Sequence, residues 1–181
     1  SSTNINENIV AGSAVATLTA TDPNSTSTHS FTLISSSDSK DDDNNSFTIS
    51  GNSLSINSSP DYETKASYNI YINVNDGANN YAKAFTVSVT NINEAPSDIG
   101  LTSTTMSENV SATSVVGILS AVDSDTSNTN TFTLANSSDS RDDDNGSFTV
   151  SGTHLKINLS PDFETKASYN IYINVNDGAN N

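Results

Sequence analysis

Cysteine is absent from this 181-residue sequence, which excludes a disulfide framework, a thiolate metal site and a cysteine nucleophile together. Stability must come from packing or from ions bound through oxygen. Basic residues are scarce as well: six Lys and Arg stand against 21 Asp and Glu, a formal net charge of -15. Nucleic acid and anionic membrane need basic patches, so both are poor partners for this chain, and cations are better ones. No apolar run approaches the roughly 20 residues of a membrane span, so no membrane insertion is expected. Ser1 opens in the middle of a pattern, without the basic and apolar regions of a secretion signal, and the chain reads as a piece of something longer. Hydrophobic residues make up only 33% of the sequence, a level compatible with disorder, but they recur periodically, which disordered segments do not.

What is present is written twice. The passage SPDYETKASYNIYINVNDGANN at residues 59–80 returns at 160–181 with Phe163 in place of Tyr62. Setting Asp22 against Asp123 gives an offset of 101 that runs without a gap over residues 6–80, pairing Phe31 with Phe132, Phe47 with Phe148 and Pro60 with Pro161. A period this long exceeds the 20–50 residues of solenoid units, so each copy is expected to bury its own core. The expected domains are residues 1–94 and 95–181.

Within a copy, alternation is the dominant signal. Tyr68, Ile70, Ile72 and Val74 face one way, and Asn69, Tyr71, Asn73 and Asn75 the other, as in a half-buried strand. Phe85 to Val89, Phe47 with Ile49, Leu54 with Ile56, Phe31 with Leu33, and Leu18 with Ala20 mark further strands, separated by turn-forming clusters such as DPNST, SGN and NDGANN. About seven short strands in about 100 residues describe an all-β fold, here two tandem immunoglobulin-like Greek-key β-sandwiches. After NDGANN the first copy continues into YAKAFTVSVTN, a last strand that the second copy lacks; the first copy in turn lacks the stretch matching PSDIGL at 96–101. An apolar edge opened in this way is sticky unless another strand fills it.

The five glutamates mark loops near domain ends: Glu7 in NEN, Glu108 in SEN, Glu63 in DYE, Glu164 in DFE, and Glu94 in the inter-repeat NINEAP. Aspartates add Asp22, Asp123 and Asp125 after an early strand, Asp76 and Asp177 in NDG, and the runs at 41–43 and 142–144. Taken together, xEN, DYE or DFE, DxD, VNDG and the linker NINEAP resemble the cadherin repeat, in the form common in bacterial surface adhesins. The resemblance covers nearly the whole chain, and most of its motifs occur twice at one offset.

That resemblance implies Ca²⁺ held at the junction of successive repeats. Carried over by position, the ligands are Glu7, Asp61 and Glu63 from repeat 1; Asn91, Asn93 and Glu94 from the linker, with main-chain oxygen near Ile92; and Asp123, Asp125 and Asp177 from repeat 2. Calcium takes six to eight oxygens, and seven carboxylates in one place repel unless cations intervene. Seven charges against three Ca²⁺ leave a cluster of about -1. The linker departs from the family in carrying Asn91 and Glu94 where Asp is usual, and in being one residue shorter; two to three ions are expected. The half-site Asp22, Asn24 and Asp76, and the group Glu108, Asp162 and Glu164, have no linker to meet and are expected to be weak.

Plainer readings stand beside these. NDG is also a hairpin turn signal. The DDDN runs read either as solvated acidic loops or as a further ion site, the former being favoured. Tyr71 and Tyr172 read as a stacking patch or as ordinary cross-strand neighbours. His29 and His154 have no histidine at the matching positions, and no elbow turn positions a nucleophile, so the chain is not expected to be an enzyme. The resemblance implies secreted, extracellular repeats that ions stiffen into a rod, with neighbouring repeats of the same chain as partners. The alternative is an adhesion module for carbohydrate or for like domains on other cells. Near identity of the copies, loops included, favours the spacer.

Overall fold

The alternating run SYNIYINVN forms one long strand, because its apolar residues share a face that only a second sheet can cover. The computed structural model describes residues 2–23, 28–126 and 129–179. They gather into two compact units, Ser1–Ile92 and Asn93–Asn181.

Unit 1 holds β1 (Ser2–Asn6), β2 (Ala14–Thr17), β3 (Ser30–Leu33), β4 (Phe47–Ser50), β5 (Ser53–Ile56), β6 (Ser67–Asn75) and β7 (Asn80–Thr90). One sheet runs β1-β7-β6-β3 and the other β2-β5-β4. β7 pairs antiparallel with β6 and parallel with β1, so it joins the first strand to the rest of the sheet. Between the sheets lie Ile5, Phe47, Leu54, Ile56, Ile70, Ile72, Val87 and Val89, all buried. Phe47 meets Tyr68 edge to face at 5.5 Å, an arrangement that suits the ring quadrupoles.

Unit 2 holds β8 (Asp98–Leu101), β9 (Val115–Val122), β10 (Thr131–Leu134), β11 (Phe148–Ser151), β12 (His154–Ile157) and β13 (Ile173–Asn176). Its sheets run β11-β12-β9-β8 and β10-β13. The core is Leu119, Phe132, Phe148, Leu155, Ile157 and Val175, with Phe148 against Tyr169 at 5.4 Å. β8 presses on β9 so closely that a Cβ on Gly117 would lie 2.7 Å from Leu101 Cδ1; unit 1, which has no strand corresponding to β8 among its described residues, carries Ala16 at the matching position.

The expected strand at Leu18 and Ala20 is not formed: β2 ends at Thr17. The matching residues of unit 2 lie within β9 and pair with β8, so the partner decides whether these residues are strand. The DDDN runs, expected as loops, carry short 3-10 turns at Ser39–Asp41 and Asn44–Ser46, repeated at Ser140–Asp142 and Asn145–Ser147.

Candidate metal sites

Unit 1 builds its site around Glu7, which follows β1. Asn8 next to it takes the left-handed conformation (φ 61°), as does Asn109 (φ 60°), and Asn is among the few residues that do so readily. The carboxylate turned inward is only 3% exposed. Its Oε2 accepts the Tyr62 N–H at 2.8 Å and its Oε1 the Ile92 N–H at 2.6 Å. Each oxygen keeps a second lone pair. Glu63, exposed, accepts from Asn91 Nδ2 at 2.7 Å, and an oxygen of Glu63 lies within 4.8 Å of one of Glu7. Asp61 opens the following turn, accepting the Thr64 N–H at 3.0 Å and the Thr64 hydroxyl at 2.9 Å. Those two bonds, the N–H first, hold its carboxyl below the ordinary aspartate range.

Unit 2 assembles Asn93, Glu94, Asp123, Asp125 and Asp177. Asn93 Nδ2 donates to Asp177 Oδ2 at 2.7 Å, and the Glu94 N–H to Asp125 Oδ2 at 2.7 Å. The Asp125 N–H in turn donates to Asp123 Oδ1 at 2.9 Å. Asp125 and Asp177 are buried, and Asp123 Oδ2 is buried with no hydrogen-bond partner among the described residues. A buried carboxylate oxygen without a donor is costly unless a cation meets it. Among the described residues, no Lys, Arg or His pairs with Glu7, Asp123 or Asp125. Hard oxygen donors, inward-facing and without basic partners, fit Ca²⁺.

One residue was missed in the sequence. Asn130 Oδ1 is likewise buried without a partner among the described residues. Its counterpart is His29, whose Nε2 lies 3.4 Å from Asp22 Oδ2, and Asp22 is the counterpart of Asp123. The repeat offset was the available signal, since it aligns a neutral oxygen donor in one copy with a basic group in the other. Asn24, expected in the same half-site of repeat 1, lies outside the described residues. Asp76 serves its own turn, accepting the N–H groups of Ala78 and Asn79 at 2.8 and 2.6 Å; these, Asn79 first, depress its pKa. Asp177 makes the same turn bond to Ala179 and also receives Asn93.

The remaining acidic groups divide. Oxygens of Glu108, Asp162 and Glu164 lie within 4.8 Å of one another, all three residues being exposed. In the acidic runs, Asp43 pairs with Lys65 at 2.8 Å and accepts the Asn69 N–H at 2.7 Å; Asp144 does the same with Lys166 and Asn170 at 2.6 and 2.8 Å. Asp41 and Asp142 accept from Ser36 and Ser137. These carboxylates pin the loop to the sheet. Tyr71 and Tyr172 lie beneath Lys40 and Arg141, 5.7 and 4.7 Å from the ring centres, the geometry of a cation–π contact.

A family model of the cadherin domain matches residues 1–92. Among curated proteins none matches the chain. Solved structures do. Domains 1–2 of human protocadherin-24 align over 97% of this chain and 83% of theirs, at a TM-score of 0.71 and 20% identity. Domains 3–6 of protocadherin gamma B2 align over 96% of this chain at a TM-score of 0.68 and 16% identity, and domains 1–4 of protocadherin gamma B3 over 97% at 0.70 and 20%. The chain spans 41% of the gamma B2 structure and 43% of the gamma B3 structure.

Proposed function

The chain belongs to the cadherin domain family, and on that premise we propose that it is a calcium-stiffened stretch of repeats in a secreted cell-surface protein. Cadherin domains are extracellular adhesion modules that generally bind Ca²⁺. Among the described residues no helix is long and apolar enough to cross a membrane. On this reading the repeats meet in the linker and the first ends at Glu94, two residues beyond the division of the compact units after Ile92. Glu7, Asp61, Glu63 and Asn91 would supply oxygens from repeat 1; Asn93, Glu94, Asp123, Asp125 and Asp177 would supply them from the linker and repeat 2, with Asn130 as a neutral addition. The ions would neutralise the carboxylates and tie the repeats into a rod. The bacterial adhesin reading rests on the resemblance of the motifs, and the near identity of the two copies favours a spacer over a recognition module.

The observation that carries the proposal is the buried Asp123 Oδ2, a negative oxygen without a donor in a chain poor in basic side chains. Adhesion to carbohydrate is the weaker reading, because the tyrosines it would use are covered by Lys40 and Arg141.

Thermal unfolding in millimolar Ca²⁺ and in excess EDTA tests the proposal. A ligand at a hundredfold excess over its Kd stabilises by about 2.7 kcal/mol, so a melting point several degrees higher in Ca²⁺ is expected. The gain should vanish in the double variant Asp123→Asn, Asp125→Asn. An unchanged melting point in the wild type would overturn the calcium reading.

A further inference from the structure

Where the two copies differ, the differences are not scattered. Over the aligned stretch, a small residue of unit 1 gives way to a larger apolar or basic one in unit 2 at Ala14 to Val115, Thr17 to Ile118, Thr21 to Val122, Ser53 to His154, Ser55 to Lys156 and Ser58 to Leu159. The first five share one face. Strand pairing sets His154 opposite Ile118, Lys156 opposite Val115 and Asp98 opposite Val122, so these side chains stand on the outer side of the β11-β12-β9-β8 sheet, while Leu119, Leu155 and Ile157 fill the inner side. Val115, Ile118 and Val122 are 50%, 46% and 59% exposed. Unit 1 builds the same sheet with Ala14, Thr17, Ser53 and Ser55 at these points, so the fold does not need the larger residues.

The charges of this face complement one another. Among the described residues Lys156 is the one Lys or Arg of unit 2 without a carboxylate partner, since Arg141 and Lys166 hold Asp139 and Asp144. Lys156 flanks one end of β9. Asp98 flanks the other end on the opposite side, accepts the N–H of Ile99 and meets no cation among the described residues. Between them Gly100 lies opposite Ser120, where a Cβ would come within 2.5 Å of the serine Oγ, so the centre of the face carries little bulk. On a chain of net charge -15, a face with one cation, one anion and an apolar stripe is where two copies repel each other least.

We propose that the outer face of β12, β9 and β8 in unit 2 docks on the same face of a second copy of this chain. A two-fold axis passing between Ile118 and Ser120 brings Lys156 of each copy to Asp98 of the other, and the contact closes as an isologous interface. Its size sets its strength. Strands about 4.8 Å apart and four to eight residues long present on the order of 400 Å² per copy, below a standard interface, so the pairing is weak and reversible. The surface goes beyond the calcium reading and uses none of its ligands.

The test is sedimentation equilibrium of the whole chain from about 10 µM to about 1 mM in EDTA, with amide resonances followed over the same range. A monomer–dimer equilibrium is expected, with concentration-dependent shifts at 98–100, 115–122 and 154–156 and none at the matching residues of unit 1. Ile118→Thr, which installs the residue of unit 1 at an exposed position and so leaves the fold intact, should weaken the dimer at least about tenfold. Lys156→Asp should weaken it as well, and adding Asp98→Lys to that variant should restore it. A monomer at every concentration would overturn the proposal and leave the face to another partner or to solvent. So would a dimer that Ile118→Thr leaves unchanged, or a double charge reversal as weak as the single one.

Discussion

The two units share a sequence through most of their length, yet the same residues take different states in each. SYNIYINVN is strand from end to end in unit 1, while in unit 2 only its last four residues, Ile173–Asn176, are strand. Conversely, LTA at 18–20 is not strand, and the matching LSA at 119–121 is. In both cases the difference follows the neighbour: β7 is present in unit 1, and β8 in unit 2. A strand is therefore a property of a pair, and the alternation that predicts it records only the ability to pair.

The largest expected effect comes from truncating the shared isoleucine. Ile70→Ala, at a site 1% exposed, should cost unit 1 about 2–5 kcal/mol, whereas Ile171→Ala should cost unit 2 under about 2 kcal/mol. Urea unfolding followed through resonances of each unit reads the two separately; equal losses would break the comparison. Next is a backbone exchange. Gly12 has φ 84°, and unit 2 places Thr113 at the same point with φ 67°, a conformation strained for a β-branched residue. Gly12→Thr should destabilise unit 1 by about 1–2 kcal/mol, and Thr113→Gly should stabilise unit 2 by about 1 kcal/mol, in the same unfolding experiment.

A smaller effect tests the contrast between Asp22 of unit 1 and its counterpart Asp123 in unit 2. Asn130→His, which copies His29 into unit 2, should weaken Ca²⁺ binding about fivefold, or about 1 kcal/mol, in a calorimetric titration. The smallest is one that both units share. Lys65 and Lys166 have pKa values raised above 10.5, chiefly by their bonds to Asp43 and Asp144. The stability they contribute is complete below 10.5 and lost as pH rises through the raised value, so alkaline titration should weaken both units alike. Asp144, held below 3.8 first by Lys166 and then by the Asn170 N–H, contributes above that value and loses its contribution as acid protonates it.

Much of the fold was legible because burial with period two leaves a direct trace: Tyr68 to Val74, Phe47 with Ile49, and Leu54 with Ile56 all fall in strands. The end of β2 was not, since its extent depends on a partner strand rather than on Leu18 itself. The candidate site was legible as residue types at loop ends, and two donors to it were not. The N–H groups that hold Glu7 come from Tyr62 and Ile92, and a backbone donor leaves no mark in the side-chain alphabet. The role of Asp43 was hidden differently, because its partners Lys65 and Asn69 are distant in sequence and their pairing appears only when the loop meets the sheet.

Glu7 also sets an order of events for the folding of unit 1. Its two donors lie 55 and 85 residues downstream, so the carboxylate can be completed only after the chain has returned through β7 to Ile92. Contacts of such sequence separation form late, after loop-closure entropy has been met by nearer pairings. On a ribosome, the first residues would wait for almost the whole unit to emerge before this carboxylate acquires its shape. Within unit 1, Glu7 thus precedes both of its donors in the chain and is completed only when Ile92 is in place.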